Sequence, residues 1–365
     1  MEYKLEDIFD LQMGKTPSRS NPEYWNSNDH KWISIGDLSR CGKYIEDTKE
    51  YLSDKAVEES GISIIPAGTV VMSFKLSIGK TAIIPEPMYS NEAIMSFRDK
   101  HVIDILPDYT YYMLSSRDWD TGTNKAVMGK TLNKATLSKI KVKVHGIAEQ
   151  KEIVRVLDKL NAVIEARQME IQKLEDLIKA RFVELFGDPI SNSKNLETKS
   201  LNEIMILKAG DFTAASAISD TLTETHRYPC YGGNGIRGFV AEYNQEGEYS
   251  LIGRQGALSG NVQYAKGRFK NTEHALLVTP KIQMNSIWLN QLLINLELKR
   301  FQTGAAQPGL SVKNLQDIPI ITVSIEKQNR FADFVAKIDK SKAVIQKSLE
   351  EAQLLFDSLM QQYFG

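Results

Sequence analysis

The sequence contains few cysteines and histidines and no long apolar run. Its two cysteines, Cys41 and Cys230, are too few and too far apart for a disulfide framework or a structural zinc site. The five histidines are dispersed, and none has a partner at the spacing of a metal site or a catalytic triad. No run of eighteen apolar residues occurs, and the acidic, amphipathic N-terminus is unlike a signal peptide. We therefore expect a cytoplasmic chain that makes no use of a membrane.

The sequence also lacks a surplus of either charge. It carries 45 Lys and Arg against 46 Asp and Glu, for a formal net charge of −1. Since a nucleic-acid-binding domain is often strongly basic, this balance is weak evidence against one. A local exception is the stretch 227–281, which has 7 basic and 4 acidic residues. The length of 365 residues predicts two domains.

Three patterns resemble enzyme motifs, and each lacks a required part. Residues 233–238 match G-x-G-x-x-G, but residues 239–244 after them are typical of a strand and a turn, whereas a dinucleotide site requires a helix there. Gly-Lys-Thr occurs at 14–16, 79–81 and 129–131, each time without the first glycine of a phosphate-binding loop. Residues 21–24 resemble the adenine-binding motif of aminomethyltransferases, but Glu23 replaces its second proline. No catalytic or metal site is predicted.

The dominant feature of the sequence is an internal repeat. Residues 131–187 and 309–365 align without a gap at a constant offset of 178 residues. The offset pairs Leu132 with Leu310 and Gln150 with Gln328, and it still holds at the Phe-Gly pair that ends each copy. A long-period repeat of this kind indicates two halves built on one plan.

Each copy of the repeat predicts a long helix with a narrow apolar stripe, the pattern of a coiled-coil seam. Neither helix contains an internal Gly or Pro, and the first is expected to run from about 148 to 186, or roughly 55 Å at 1.5 Å per residue. Gly187 and Pro189 are expected to end it. In the first copy the predicted seam positions are Ile153, Leu157, Leu160, Ile164, Ile171, Leu174 and Ile178, and the stripe is expected to continue to Leu185. In the second copy they are Phe331, Val335, Ile338, Ile345, Leu349 and Phe356.

Two polar residues interrupt this predicted seam. Arg167 stands where an apolar residue is due in the first copy, and Lys342 does so in the second. Such residues either fix the register and the partner of a coiled coil or extend their charged ends to a solvated edge. The sequence leaves both interpretations open.

The segments before the two helices predict an α+β fold, since short β-type runs alternate with turn clusters and one helix each. Strands are expected near 32–35, 69–74, 81–84, 249–252 and 275–278, and helices near 109–116 and 286–300. A strand-and-loop pattern at 71–82 returns at 251–262. The predicted organisation is an α+β domain at 1–144, a helix at 145–188, a second α+β domain at 189–322 and a second helix at 323–365.

Polar loops in both domains carry the side chains that contact nucleic acid in other proteins. They combine glycines, which allow close approach, with amide, hydroxyl and cationic donors for base edges and phosphates. Solvated loops without a function would have a similar composition. The candidate DNA-binding residues are Lys15, Thr16, Ser18, Arg19, Lys75, Ser77 and Lys80 in the first domain, and Tyr231, Asn234, Arg237, Arg254, Gln255, Lys266, Arg268, Lys270 and Asn271 in the second.

With these residues in view, the chain resembles the specificity subunit of type I restriction–modification systems over essentially its whole length. Residues 14–25 (GKTPSRSNPEYW) with 32–38 (WISIGDL) resemble the start of a first recognition domain. Residues 228–235 (YPCYGGNG) with 252–256 (IGRQG) resemble a second one, and 148–154 (AEQKEIV) resembles the segment leading into the helix. Residues 326–328 (EKQ) depart from the usual Glu-Gln pairing of the second copy, which is expected to weaken a helix cap there.

The resemblance implies two mixed α/β target-recognition domains, each reading one half of a split site in double-stranded DNA. It also implies that the two helices pair antiparallel as a coiled-coil spacer, so that the chain has an internal pseudo-two-fold repeat. It further implies two modification subunits, which bring S-adenosylmethionine and adenine methylation, and restriction subunits, which use ATP and Mg to cleave DNA. This chain would itself carry no cofactor and no catalytic site.

Two alternatives belong to other classes of protein. A coiled-coil scaffold without sequence-specific DNA binding would explain the helices but would leave the polar loops without a function. A self-contained DNA methyltransferase or nuclease would need a methyl-donor or catalytic site that the sequence does not offer.

Overall fold

In the computed structural model the chain packs as two compact units. Unit 1 comprises Met1–Ala166 with Ser348–Gly365, and unit 2 comprises Arg167–Lys347. The structure describes residues 1–75, 77–117, 119, 124–126, 129–304 and 308–365, with only the backbone given for 124–126 and 129–131. Leu76, in the predicted strand-and-loop pattern, lies outside the described residues, and so do the side chains of the third Gly-Lys-Thr, at 129–131.

The part of unit 1 before the long helix is a mixed α+β domain. Its strands are β1 (Glu2–Lys4), β2 (Phe9–Met13), β3 (His30–Ile33), β4 (Glu50–Leu52), β5 (Val70–Ser73), β6 (Thr81–Ile83), β7 (Tyr89–Ser90), β8 (Ile94–Asp99), β9 (Asn124–Ala126), β10 (Gly129–Thr131) and β11 (Lys141–Lys143). Its helices are α1 (Leu5–Ile8), α2 (Ile35–Leu38), α3 (Asp54–Ser60), α4 (Pro107–Ser115) and α5 (Lys134–Ser138), with a 3₁₀ turn at Pro22–Tyr24.

The central sheet of unit 1 has the strand order β2-β8-β5-β6, and a second sheet has the order β4-β3-β7. All four residues of β5 are buried, as expected for a strand covered on both faces. The predicted strand at 32–35 begins earlier, at His30, because β3 pairs with β4 from that residue. The residues after Ile33 instead form the short helix α2, whose N-cap Ser34 accepts a hydrogen bond from the main-chain N–H of Asp37.

The corresponding part of unit 2 has its own strands and helices. The strands are β12 (Thr198–Ser200), β13 (Met205–Ala209), β14 (Tyr228–Gly232), β15 (Gly235–Val240), β16 (Gln245–Gly253), β17 (Val262–Asn271), β18 (Ala275–Pro280) and β19 (Pro319–Ile321). The helices are α7 (Leu201–Ile204), α8 (Ser286–Asn295) and α9 (Val312–Leu315), with 3₁₀ turns at Ala215–Ala217 and Leu298–Phe301.

Unit 2 is organised by a six-stranded sheet of order β13-β18-β16-β17-β14-β15. The G-x-G-x-x-G pattern falls in the hairpin between β14 and β15, so a strand follows it and a dinucleotide-binding turn is excluded. The helix predicted at 286–300 ends at Asn295 instead, because Glu297 adopts a left-handed conformation with φ of 49° and a 3₁₀ turn follows.

The two repeat copies form two unbroken helices, each of 40 residues, α6 (Ile147–Phe186) and α10 (Ile325–Phe364). Gly187 ends α6 with a left-handed φ of 79°, and its N–H bonds to the carbonyl oxygen of Val183 at 2.8 Å, as predicted for a helix cap. None of the helices that the structure describes has the length and hydrophobicity needed to cross a bilayer.

Within each unit, the beginning of one long helix packs with the end of the other, which makes the pairing antiparallel. In unit 1, Ile153 and Leu157 share a core with Met360, and Phe356 and Phe364 pack against that core. In unit 2, the shared core of the two helices contains Ile178, Phe182, Phe186, Phe331 and Val335. The predicted α+β class and helix pairing are confirmed.

Several predicted seam residues are buried and others only half-buried. The buried ones are Ile153, Leu157, Ile164, Ile178, Phe331 and Val335, whereas Leu160, Ile171, Leu174, Ile338, Ile345, Leu349 and Phe356 are half-buried. The extension of the stripe to Leu185 was wrong, because that side chain is exposed and the helix turns Phe182 and Phe186 inward. Lys342 donates to Glu175 of the other helix at 2.8 Å, and Arg167 pairs with Glu170 of its own helix.

Candidate nucleic-acid interface

A loop after the central strand of unit 2 is held by three main-chain hydrogen bonds. The N–H of Arg254 donates to the carbonyl oxygen of His274 at 3.1 Å, and the carbonyl oxygen of Arg254 accepts from Leu310 at 2.8 Å. At the end of the loop, the N–H of Gly260 closes back on the carbonyl oxygen of Gly253 at 2.7 Å. These bonds fix where the loop leaves β16 and where it returns.

Unit 1 contains the same set of three hydrogen bonds. The N–H of Phe74 donates to Ala93 at 3.0 Å, its carbonyl oxygen accepts from Leu132 at 3.1 Å, and Gly79 closes on Ser73 at 2.9 Å. We call the loops 74–80 and 254–261 the matched loops. Residue by residue, the bonds place Phe74 with Arg254 and Ala93 with His274, so Lys75 and Gln255 occupy equivalent positions.

A close approach of two glycines joins the matched loop of unit 2 to the β14–β15 hairpin. A Cβ on Gly253 would lie 2.2 Å from the carbonyl oxygen of Gly233, and a Cβ on Gly233 would lie 3.1 Å from that of His274. The approach at Gly253 excludes any side chain, and a side chain at Gly233 would require the neighbouring backbone to shift by a few tenths of an ångström. The tip of the hairpin, with Asn234, is therefore held beside Arg254, and the two loops singled out from the sequence meet.

A second main-chain contact recurs after β2 in unit 1 and after β13 in unit 2. A Cβ on Gly14 would lie 2.1 Å from the carbonyl oxygen of Ser90, and one on Gly210 would lie 2.1 Å from that of Asn271. The next residue of each loop then donates its N–H to the same carbonyl oxygen. These loops carry the predicted residue Lys15 in unit 1 and the segment 210–213 in unit 2.

Arg19 of unit 1 is packed between aromatic rings and paired with a carboxylate. Its guanidinium carbon lies 3.7 Å from the ring centre of Trp25 and 4.9 Å from that of Trp32. Glu50 accepts two hydrogen bonds from it, and these bonds raise the pKa of Arg19. Since Glu50 and the rings already hold the guanidinium, a DNA contact would have to compete with them.

The other candidates of unit 1 fall into two groups. Lys15 donates to the carbonyl oxygen of Ser60, Thr16 to the carboxylate of Glu92, and Ser18 shares a hydrogen bond with Ser20. Lys75, Ser77 and Lys80 lie on the matched loop, and neither lysine has an ion-pair partner among the residues that the structure describes. Lys80 and Ser77 are exposed, and Lys75 is half-buried with its ammonium 5.2 Å from the Phe74 ring centre.

Lys266, Arg268 and Lys270 form a row along β17, and each is paired with an acidic side chain. Lys266 lies 2.9 Å from Glu248 and Arg268 lies 3.1 Å from Glu246, directly across from them on β16. Hydrogen bonds from Lys266, Tyr264 and Ser286 lower the pKa of Glu248. Lys270 lies 3.3 Å from Asp211. The acidic partners in these ion pairs offset much of the positive charge of this region.

Two predicted contact residues of unit 2 are buried, and their prediction must be corrected. Tyr231 packs edge-on against Phe269, with ring centres 5.4 Å apart, and burial raises its pKa. Asn271 is 1% exposed, and its main-chain N–H and carbonyl oxygen hold Asn244 and Asp211. The two residues are register partners in the parallel pairing of β14 with β17, and both are buried.

The remaining candidates of unit 2 lie around the hairpin tip and the matched loop. Asn234 accepts a hydrogen bond from Asn261 at 3.1 Å, and Arg237 is exposed with its aliphatic part against Gly232. Arg254 makes one long bond, 3.5 Å, to the carbonyl oxygen of Glu273. Gln255 is exposed and contacts His274. This cluster presents amide and guanidinium groups of the kind that hydrogen-bond to base edges.

Sequence reasoning missed several residues that organise these sites. Glu92 holds the loop after β2 and Glu273 holds the loop after β13, and no local signal marks either residue. Phe212 is 80% exposed between the anchored residues Asp211 and Thr213, an unusual position for an aromatic ring. The repeat itself offered a signal for Gln150 and Gln328, since a polar residue at the same place in both copies was visible.

Gln150 and Gln328 are buried and make corresponding hydrogen bonds in the two units. Gln150 accepts from the N–H of Leu106 at 3.0 Å, and Gln328 accepts from Asn285 at 2.8 Å. Leu106 and Asn285 are the N-cap residues of α4 and α8. Each glutamine therefore joins a long helix to the start of a helix in the neighbouring domain, α4 for Gln150 and α8 for Gln328.

The two domains thus present polar loops on the same main-chain framework but with different side chains. Among the described residues, no group of three His, Cys, Asp or Glu side chains is arranged to hold a metal ion. These features define a protein with two related binding domains and paired helices. Comparison with known proteins identifies its family.

The chain belongs to the family described as type I restriction modification DNA specificity domain, whose model matches residues 1–176 and again 193–354. It is 32% identical to the EcoprrI specificity subunit of Escherichia coli, over 92% of this chain and 86% of that protein. It is 28% identical to the EcoR124I/EcoR124II specificity subunit of E. coli, over 49% of this chain and 48% of that protein. Family membership supports a non-catalytic role in sequence-specific DNA recognition.

Solved structures share the fold. The S subunit of a type I restriction–modification system from M. genitalium matches with a TM-score of 0.59 at 16% identity, covering 100% of this chain and 96% of that one. A chain from a study of complex assembly and conformational transition of the type I system matches with a TM-score of 0.55 at 14% identity, covering 100% and 97%.

Proposed function

We propose that this chain is the DNA-reading subunit of a type I restriction–modification complex, in which each unit reads one half of a bipartite site. The observation that carries the proposal is the pair of matched loops, which rest on the same three main-chain hydrogen bonds but present different side chains. A fixed backbone with variable polar side chains suits a reader of two different short sequences.

The proposed contact residues are those whose donors are not already fully held. In unit 1 they are Lys75, Ser77 and Lys80, while Lys15, Thr16, Ser18 and Arg19 of the neighbouring loop would contact DNA only after exchanging their present partners. In unit 2 they are Asn234, Arg237, Arg254 and Gln255, while Lys266, Arg268 and Lys270 would contribute a phosphate-facing edge only after exchanging their acidic partners. The domain limits 1–144 and 189–322 remain part of this proposal.

The proposed complex supplies the chemistry that this chain lacks. Two modification subunits would dock on the helices and recognition domains and bring S-adenosylmethionine for adenine methylation. Restriction subunits would bring ATP and Mg for DNA cleavage. The near-neutral charge of this chain fits such a complex, because its partners can share the phosphate contacts. Since the complex acts on the DNA of the cell, we propose a cytoplasmic location.

We also propose that the lengths of α6 and α10 set the number of base pairs left unread between the half-sites. A heptad inserted in both helices adds about 10 Å, or about three base pairs at ~3.4 Å each. The motif methylated by this double-insertion variant should therefore keep both halves and gain a longer gap. An unchanged gap would refute this function of the helices.

The proposal is tested by expressing the chain with the modification subunit from its own operon and mapping methylated adenines across the host genome. One motif with two short defined halves and a constant unread gap is expected. Methylation at an unsplit motif, or a complex that forms without methylating DNA, would contradict it.

Binding measurements separate this function from that of a coiled-coil scaffold. The assembled complex should bind DNA with an affinity that falls steeply as salt rises, because phosphate contacts release counterions. It should also prefer the mapped motif over a shuffled duplex. A scaffold would show neither property.

A further inference from the structure

We infer that His274 is a positioning residue that determines which hydrogen-bonding group Gln255 presents to DNA. The inference rests on the proposed function and concerns one base pair in the half-site read by unit 2. His274 lies in the turn between β17 and β18, and Gln255 lies on the matched loop.

The imidazole of His274 stands between two oxygen acceptors. Its Nδ1 lies 2.7 Å from Oε1 of Gln255, and its Nε2 lies 3.2 Å from Oε1 of Glu273. An amide oxygen and a carboxylate oxygen can only accept hydrogen bonds. In this arrangement Nδ1 donates to Oε1 of Gln255, and Nε2 lies beside the carboxylate of Glu273.

The imidazole is held in place from several directions. The other carboxylate oxygen of Glu273 accepts from the main-chain N–H of Thr213 at 3.2 Å. The carbonyl oxygen of His274 accepts from Arg254, the residue before Gln255, at 3.1 Å. The segment 210–213, the β17–β18 turn and the matched loop are thus connected through Glu273 and His274.

This arrangement restricts what Gln255 can recognise. With Oε1 engaged by His274, the amide is left with its NH₂ group, which can donate to guanine N7 or O6, adenine N7 or thymine O4. A free glutamine can instead contact adenine with two hydrogen bonds, accepting from N6 and donating to N7. His274 would therefore select against the double contact with adenine and favour an acceptor such as guanine.

Unit 1 shows that this position tolerates a small side chain. Ala93 occupies the place of His274, since its carbonyl oxygen accepts from Phe74 as that of His274 accepts from Arg254. His274→Ala should therefore preserve the loop while releasing Gln255. His274→Gln offers a conservative rescue, because its amide NH₂ can donate to Gln255 in place of Nδ1.

The test compares methylation maps of complexes containing the wild-type chain, Gln255→Ala, His274→Ala and His274→Gln. His226→Ala is the matched control, because His226 is half-buried in the same unit and its hydrogen bonds among the described residues lie within its own turn. Gln255→Ala should make one position of one half-site degenerate. His274→Ala should admit adenine at that same position, with about a tenfold loss of discrimination, about 1.4 kcal/mol. His274→Gln should restore it, and the other half-site should not change.

Two outcomes would overturn the inference and leave the proposed function standing. In both of them the wild-type chain methylates a split motif. In the first, His274→Ala leaves the motif unchanged while Gln255→Ala alters it. In the second, neither substitution alters the motif. Absence of a split motif with the wild-type chain would instead refute the proposed function, so the two failures are distinguishable.

Discussion

Replacing Gln150 or Gln328 by alanine should destabilise the unit in which the residue lies, because each side chain satisfies buried main-chain groups. Gln150 is 0% exposed, accepts from Leu106, and donates to the carbonyl oxygens of Asp104 and His145 at 3.0 and 2.9 Å. Gln328 is 3% exposed, accepts from Asn285, and donates to Val323 at 2.9 Å.

The size of the effect follows from the groups left without partners. A buried polar group that loses its hydrogen-bond partner costs about 1–3 kcal/mol. Gln150→Ala leaves one N–H and two carbonyl groups without partners, so we expect a loss of about 3–9 kcal/mol in the free energy of unfolding of unit 1. Gln328→Ala leaves one N–H and one carbonyl group without partners, so we expect a loss of about 2–6 kcal/mol for unit 2. Both losses are large against the usual 5–15 kcal/mol of a folded domain.

Urea unfolding of the purified chain, with hydrogen exchange of the first amides of α4 and α8, would measure these losses. Gln168→Ala is the matched control, since it removes an exposed glutamine from the same helix as Gln150. We expect faster exchange in α4 for Gln150→Ala and in α8 for Gln328→Ala. If both variants unfold within about 0.5 kcal/mol of the control, the glutamines do not hold these helices.

Three further predictions follow from the described contacts. Gly253→Ala places a Cβ 2.2 Å from the carbonyl oxygen of Gly233, so it should weaken DNA binding at one half-site. Gly42→Ala is the control, because its Cβ meets nothing within 4 Å and binding should not change. Equal affinities of the two variants would contradict the close approach. Arg237→Gln should lower the slope of log affinity for DNA against log salt concentration by about 1. Lys266→Gln should change this slope less, because Glu248 already pairs with Lys266. A larger change for Lys266→Gln than for Arg237→Gln would refute this prediction. Burial raises the pKa of Tyr109 and of Tyr264 to about 12. The stability that these two side chains contribute is therefore complete below about pH 10 and is lost as the pH rises through about 12. Phenolate absorbance that develops for all tyrosines near pH 10 without unfolding would contradict this prediction.

The long helices could be predicted because their signals are local. Helical periodicity, the absence of Gly and Pro, and the cap at Gly187 all lie within the repeat, and α6 begins within one residue of the expected start. The apolar stripe did not predict that Phe182 would be buried near the end of α6 while Leu185 is exposed. The burial of Phe182 depends on Phe331 and Trp288, which approach from distant parts of unit 2.

The recognition loops were located by composition, but their details depend on partners far along the chain. The pairing of Lys266 with Glu248 requires the register between β16 and β17. The burial of Tyr231 involves its packing on Phe269 of β17, which lies beside β14 in the sheet. The matched loops depend on main-chain hydrogen bonds to residues such as Ala93 and Leu310. No spacing of side chains along the sequence signals these contacts.

The measurement that tests the account most directly is a comparison of two methylation maps from complexes altered in one matched loop each. Lys75→Ala with Lys80→Ala changes the loop of unit 1, and Arg254→Ala with Gln255→Ala changes that of unit 2. We predict that the first variant alters one half of the split motif and the second alters only the other half. If either variant changes both halves, or if neither changes the motif, the two units do not read DNA separately through these loops.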